Sequence, residues 1–127
     1  MTIAEKVFLD RKISIYANKL SVILAALYNP SVTPYIKDEN EYIKFEVEGY
    51  EKIMNTHSDI NKKLSFISGI YDNFSRHYAQ VPKFEIDNIN SFTEYEKEHI
   101  VNFWIEEMYN NCRINYRMSK IMDYLNF

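Results

Sequence analysis

The chain has 127 residues, of which 46% are hydrophobic and 26% are charged, and its formal net charge is −3. This balance excludes intrinsic disorder, which needs low hydrophobicity and a high net charge, and the length suits one domain. The two glycines and three prolines argue against a β-sandwich, whose many turns use these residues. The acidic balance also disfavours a protein that coats nucleic acid, since that function needs a surplus of basic side chains.

The first predicted element is an amphipathic helix over about residues 2–28. Its apolar side chains recur mostly three and four residues apart, which places them on one face: Val7, Ile13, Tyr16, Leu20, Ile23, Leu24 and Leu27. Thr2 and Glu5 match a capping box, the arrangement that satisfies free amides at a helix start. Pro30 and Pro34 disfavour helix in the residue before each. A loop is therefore predicted over residues 30–38.

The segment 39–57 is compatible with two structures. Apolar residues alternate with charged ones over 42–48, which is typical of a strand with one buried face. Ile43, Val47, Tyr50 and Met54 also recur at spacings of four, three and four, which is typical of a helix. We predict a helix over about 39–57 because no other part of the chain offers a convincing partner strand. Helix or strand at 42–48 stays the open alternative.

The third predicted helix covers about residues 59–79. It carries a heptad seam of Ile60, Leu64, Ile67, Tyr71, Phe74 and Tyr78. Residues 80–90 contain Pro82 and show no helical periodicity, so they are predicted to form a connecting loop.

The last predicted helix covers about residues 92–125, with Ser91 and Glu94 as its capping box. Its apolar residues form a first stripe of Val101, Ile105, Met108 and Cys112, then a displaced one of Ile114, Met118, Ile121 and Leu125. The displacement predicts a bend or a split near residue 110. The chain is thus predicted to be all-α, a single-domain bundle of four to five helices, its core built from these seams.

No catalytic, metal-binding or cofactor-binding site is predicted. The one cysteine, Cys112, excludes an intrachain disulfide and a multi-cysteine metal site. Glu96 and His99 form half of a di-iron motif, but no second Glu-x-x-His follows, so both are predicted to face solvent. Arg76 and His77 are adjacent and therefore point about 100° apart on a helix. The longest apolar run is too short to cross a membrane, and we predict a cytoplasmic protein without membrane contact.

The acidic side chains are concentrated in two parts of the chain. Residues 30–60 carry three basic and seven acidic side chains, and residues 81–107 carry two and seven. Tyrosines lie beside these carboxylates, and exposed tyrosines favour protein binding because they bury a large area at a small cost in conformational entropy. The predicted partner-binding residues are Asp38, Glu39, Glu41, Tyr42, Glu46, Glu48, Tyr50, Glu51, Glu94, Tyr95 and Glu98.

These features predict a non-catalytic inhibitor that binds a protein partner. A compact acidic domain can cover the basic active cleft of a toxin or nuclease, and bacterial immunity proteins and antitoxins work in this way. One alternative is a small helical enzyme, a ribonuclease or a metal-dependent hydrolase. It would need His77 or His99 to meet a charged partner on another helix. A second alternative is a regulatory adaptor that forms a homodimer through an aromatic face.

Overall fold

A computed structural model of the chain describes residues 1–27 and 47–125, without the side chains of residues 26, 27, 119, 120 and 122–124. Within these residues it contains four α-helices and a short 3-10 helix. The helices are α1 (Ile3–Leu27), α2 (Gly49–Met54), α3 (Ile60–Ser75) and α4 (Glu94–Leu125), with the 3-10 helix at Ile89–Ser91. The described residues contain no strand. The predicted all-α class is confirmed.

The helix ends differ from the predicted ones in three places. The described part of the second predicted helix ends at Met54 rather than near residue 57, and residues 42–46 lie outside the described residues, as does the predicted loop at 30–38. α3 ends at Ser75, four residues before the predicted end at 79. α4 continues as one helix through residue 110, so the predicted split is wrong. The apolar face of α4 shifts along the helix because different elements lie against its two parts.

Hydrogen bonds at the helix starts explain where α1 and α4 begin. The Glu5 amide donates to the Thr2 hydroxyl at 3.1 Å, as the sequence predicts. The capping box at Ser91 and Glu94 is wrong, because the Ser91 hydroxyl donates to the Asn88 carbonyl inside the 3-10 helix. The box forms two residues later. There the Thr93 amide donates to Glu96 at 2.9 Å and the Glu96 amide donates to the Thr93 hydroxyl at 3.1 Å.

α1 and α4 are parallel neighbours. Asp10 contacts His99 near one end of the pair, and Ser21 contacts Asn115 farther along both helices. Parallel neighbours need a long crossover, and the chain between them includes α2 and α3. α3 packs against α4, and the buried ammonium of Lys97 on α4 donates to the Asn61 amide oxygen at 2.8 Å.

Four aromatic residues form the centre of the core. Tyr16 of α1 and Phe84 of the connecting segment pack against Tyr71 of α3, with ring centroids 5.5 and 5.4 Å from that ring. The Trp104 indole on α4 donates to the Tyr71 hydroxyl at 2.8 Å. The Tyr16 hydroxyl donates to the Glu85 carbonyl at 2.6 Å and accepts from the Glu85 amide. Each polar tip among these buried rings therefore has a partner, as burial requires.

The apolar residues near the end of α4 do not join this core. Ile114, Met118, Ile121 and Leu125 are each at least half exposed, and we call these four residues the outer stripe. The prediction that they belong to a core seam is wrong. Val7 on α1 is also exposed, against its predicted place on the apolar face. Both segments are helical, as their periodicity predicts, but no described neighbour buries these side chains.

Candidate protein-binding surface

The structure describes six of the eleven predicted binding residues. Asp38, Glu39, Glu41, Tyr42 and Glu46 lie outside the described residues. The other six belong to two places in the fold, at α2 and in the first two turns of α4: Glu48, Tyr50, Glu51, Glu94, Tyr95 and Glu98.

One side of α4 connects these two groups of acidic residues. Residues 94, 98, 102, 105 and 109 follow one another at spacings of four, four, three and four, so they share one side of the helix. The line from Glu94 to Tyr109 covers 15 helical steps, or about 22 Å at the α-helical rise. Glu94 and Glu98 begin this line, and α2 meets its other end at Tyr109.

At that end, Tyr109 is surrounded by carboxylates. Its hydroxyl hydrogen-bonds to Glu51, and Glu48 is close enough to act on it electrostatically. Partial burial, followed by these two negative charges, raises the pKa of Tyr109 to about 12. The guanidinium of Arg113 lies 6.0 Å from the centre of the Tyr109 ring. Tyr109 was not among the predicted binding residues, because its spacing from Glu51 in the sequence gave no sign of this contact.

At the other end, Glu94 and Glu98 line a polar hollow of about 250 Å³. Ser58, Asn102 and Lys63 contribute further polar groups to its wall. Glu94 and Glu98 are exposed, and neither takes part in the ion pairs formed among the described residues. We call Glu48, Glu51, Glu94 and Glu98 together the acidic side. Two segments about 40 residues apart thus contribute carboxylates to a single side of the molecule.

Tyr50 and Tyr95, the two described tyrosines among the predicted binding residues, do not lie among the carboxylates of the acidic side. Tyr50 is half-buried and packs against the core. Tyr95 is 81% exposed but lines a different hollow, together with Lys6 and His99. Tyr95 follows Glu94 directly and so points about 100° away around the helix.

His99 and Asp10 pair an ionisable imidazole with a carboxylate between α1 and α4. The His99 Nε2 lies 2.7 Å from the Asp10 carboxylate, and both side chains are about one quarter exposed. The His99 ring also stacks on Phe103, with centroids 5.7 Å apart. The prediction that His99 faces solvent is therefore wrong. No sequence signal links Asp10 to His99, because each lies on a polar flank of its own helix and only the packing of α1 on α4 joins them.

Glu96, the other residue predicted to face solvent, caps α4. Its carboxylate accepts from the Thr93 amide and lies 3.5 Å from the amino group of Met1. The hydrogen bond from the Thr93 amide is the main cause of a lowered pKa for Glu96, with a smaller contribution from the positive amino group. The Glu96 carboxylate is thus occupied by contacts with Thr93 and Met1 and is not free to bind a metal ion.

The part of the chain that the structure describes contains no group of three or more His, Cys, Asp or Glu side chains that could hold a metal ion. None of its helices is both long enough and apolar enough to span a membrane. Comparisons with protein-family models, with curated proteins and with solved structures found no match for the chain.

Proposed function

We propose that the protein is a non-catalytic inhibitor of the immunity or antitoxin type, which neutralises a basic toxin or nuclease by covering its active cleft. The observation that supports this proposal is the acidic side. Carboxylates from Glu48 and α2, and from the start of α4, lie along about 22 Å of one helix. A cluster of exposed carboxylates attracts a basic cleft before contact and so speeds association.

The carboxylates of the acidic side differ in their expected roles. Glu94 and Glu98 are exposed at the edge of a polar hollow, so they suit the steering of an approaching partner. Glu51 is half-buried and hydrogen-bonded to Tyr109. It is therefore held in position, and a positioned carboxylate loses less conformational entropy when a partner binds. We expect Tyr109, rather than Tyr50 or Tyr95, to be the aromatic anchor for the partner.

The test is to isolate the partner from the source cells and measure its association with charge-reversed variants. The first pair is Glu48→Lys with Glu51→Lys, and the second is Glu94→Lys with Glu98→Lys. Each pair is expected to slow association at low salt by about tenfold or more, because steering raises on-rates by 10- to 1000-fold. The difference from the unchanged protein should shrink as salt is added. The isolated partner should have an activity that one equivalent of the unchanged protein abolishes.

A matched control changes the net charge by the same amount at residues outside the acidic side. Asp72→Lys with Glu85→Lys replaces two exposed acidic residues, one on α3 and one in the connecting segment. This variant is expected to associate as the unchanged protein does. If it slows association as much as the other pairs, only net charge matters and no binding surface has been found. If neither acidic pair alters binding, the proposal is wrong.

A second candidate function, that of a small helical enzyme, is favoured by the Asp10–His99 pair. An aspartate that holds an imidazole through one ring nitrogen is a common arrangement in general acid–base catalysis. The adjoining hollow of about 360 Å³ is lined by Lys6, Tyr95 and His99, among others. A ribonuclease would use these groups to move protons between the 2′-hydroxyl and the leaving 5′-oxygen.

Cleavage of RNA by the purified protein separates the two candidates. The inhibitor is expected to leave RNA intact, with and without added divalent metal ions. Cleavage that disappears in His99→Gln and persists in His77→Gln would establish the enzyme and overturn the inhibitor. His77 is a suitable control because it is exposed and lies outside this hollow.

A further inference from the structure

The outer stripe has the spacing of a helix-pairing seam. Ile114, Met118, Ile121 and Leu125 are separated by four, three and four residues and are each at least half exposed. These spacings of four and three match the seam that one helix presents to another. The stripe lies roughly opposite the acidic side around α4, because Glu98 and Ile114 differ by about 160°. It is therefore independent of the proposed inhibitor surface.

α1 extends this apolar surface. Ile15, Asn18 and Val22 share one face of α1 by their spacing of three and four, and Ile15 and Val22 are about half exposed. Asn18 accepts a hydrogen bond of 3.3 Å from Asn115, which lies on α4 between Ile114 and Met118 in sequence. The apolar residues of the two parallel helices therefore meet along this hydrogen bond. Together they form a shallow two-helix surface.

The exposed charges beside Ile15 and Val22 on α1 are basic. Residues 11–27 contain three basic and no acidic residues, and residues 108–122 also contain three and none. Asp10 lies just before the first run, and Glu107, seven residues before Ile114, lies on the line of the outer stripe at its N-terminal end. Arg11 and Lys19 of α1 are exposed, whereas Lys12 lies 3.8 Å from Asp87 and Arg113 lies near the Tyr109 ring on the acidic side. An apolar seam edged by cations complements an apolar seam edged by carboxylates.

We propose that the outer stripe, with Ile15 and Val22 of α1, is a docking surface for an acidic amphipathic helix of a protein partner. The helix would lay its apolar residues along Ile114–Leu125 and direct its carboxylates towards Arg11 and Lys19. This mode is the recognition of a helix in an apolar groove, in which residues three and four apart serve as anchors.

Charge and residue type distinguish this occupant from two others. A second copy paired through the same surface would bring Arg11 and Lys19 of the two copies together, and like charges across an interface weaken association. An anionic membrane would satisfy the charge, but membrane-surface helices usually carry aromatic residues on their apolar face. The exposed apolar residues that the structure describes on this surface are aliphatic or methionine.

The proposal is tested with a synthetic helix as the probe. The probe is a fluorescein-labelled 21-residue peptide with leucine at heptad positions a and d and glutamate at e and g, and a second peptide has lysine in place of glutamate. The full chain is expected to bind the glutamate peptide in fluorescence anisotropy and not the lysine peptide. Binding should weaken as salt is raised.

Substitutions then locate the binding surface. Ile114→Asp and Ile121→Asp are each expected to weaken binding about tenfold, since each replaces a central apolar contact by a charge that repels the probe. Arg11→Glu with Lys19→Glu should weaken binding at low salt and less so at high salt. Ile53→Asp and Lys62→Glu are the matched controls, because Ile53 is as exposed as Ile121 and both residues lie outside this surface. Circular dichroism confirms that each variant is folded.

Each contrary result overturns the proposal in its own way. Absence of glutamate-peptide binding, or equal binding of the lysine peptide, refutes an acidic helix as the occupant. Binding to phosphatidylglycerol vesicles that requires Ile121, without peptide binding, assigns the surface to a membrane. A dimer in sedimentation velocity that Ile121→Asp dissociates assigns it to a second copy. Equal loss of binding in Ile53→Asp shows that the peptide binds elsewhere.

Discussion

The two ends of α4 carry the same kind of apolar periodicity and meet opposite surroundings. Val101, Met108 and Cys112 in the first part are buried, whereas the outer stripe in the second part is at least half exposed. The difference is in the neighbours. α3 faces the first part, as the bonds of Trp104 and Lys97 show. α1 reaches the second part at Asn115. An apolar stripe thus specifies a helix, but only a neighbouring element makes it core.

Two methionines ten residues apart on α4 allow the most direct test of this difference. Met108 is fully buried and Met118 is 53% exposed. Met108→Ala is expected to lower the free energy of unfolding by about 2–5 kcal/mol, because it removes buried surface and leaves a cavity. Met118→Ala should change the free energy of unfolding by less than about 0.5 kcal/mol. Urea unfolding measures both, and equal losses would show that the outer stripe is buried in solution.

The aromatic centre sharpens the comparison, because Trp104, its residue on α4, lies in the first part of that helix. Tyr71→Phe removes the acceptor of the Trp104 N–H in a fully buried place. The substitution is expected to cost about 1–3 kcal/mol, the range for a buried donor left without a partner. Tyr95→Phe is the control and should have no effect, because Tyr95 is 81% exposed. A Tyr71→Phe variant as stable as the unchanged protein in urea would place the Trp104 N–H elsewhere.

Substitutions at the start of α4 are expected to have a smaller effect on the free energy of unfolding. Thr93→Ala removes the capping hydroxyl and should lower the free energy of unfolding by about 1 kcal/mol. Ser91→Ala is expected to cost less, since its hydroxyl bonds within the 3-10 helix and caps no α-helix. Thermal unfolding of the two variants compares them directly. A larger loss in Ser91→Ala would restore the capping box that the sequence predicts.

Tyr109, at the boundary between the two parts of α4, gives a spectroscopic test. Partial burial and the charges of Glu51 and Glu48 raise its pKa to about 12. An unfolded tyrosine ionises near pH 10, so the contribution of Tyr109 to stability is present below about pH 10 and is lost as the pH rises towards 12. The difference in absorbance between the unchanged protein and Tyr109→Phe follows this one ionisation. Glu51→Gln should move it to lower pH, and no movement would show that Glu51 is not in contact.

The elements of the fold were predictable to different extents. The third helix was foreseen from its heptad seam, and Leu64 and Ile67 of that seam are buried as expected. The seam could be recognised because the buried residues of α3 recur at helical spacing along one side of the helix. The end of the same helix was not foreseen. Phe74 and Tyr78 are only half-buried, and α3 stops at Ser75 between them.

The candidate site was predictable only as a composition. The sequence shows that acidic residues and tyrosines are concentrated in two stretches, and the structure brings Glu48 and Glu51 to the same side of α4 as Glu94 and Glu98. The sequence did not show that Tyr109 rather than Tyr95 would lie among these carboxylates. Which tyrosine meets them depends on where α2 crosses α4, and that position follows from core packing.

The sequence by itself determined that the chain is helical, where α1 begins, and that no intrachain disulfide can form, since these depend on local periodicity, local hydrogen bonds and residue type. Only the tertiary structure decided which apolar stripe is covered and which polar groups pair. Asp10 with His99 and Lys97 with Asn61 are joined across 89 and 36 residues of sequence. Such pairs leave no local signal, because they form only after the helices have packed. For the same reason, the burial of each stripe depends on the element that comes to lie against it.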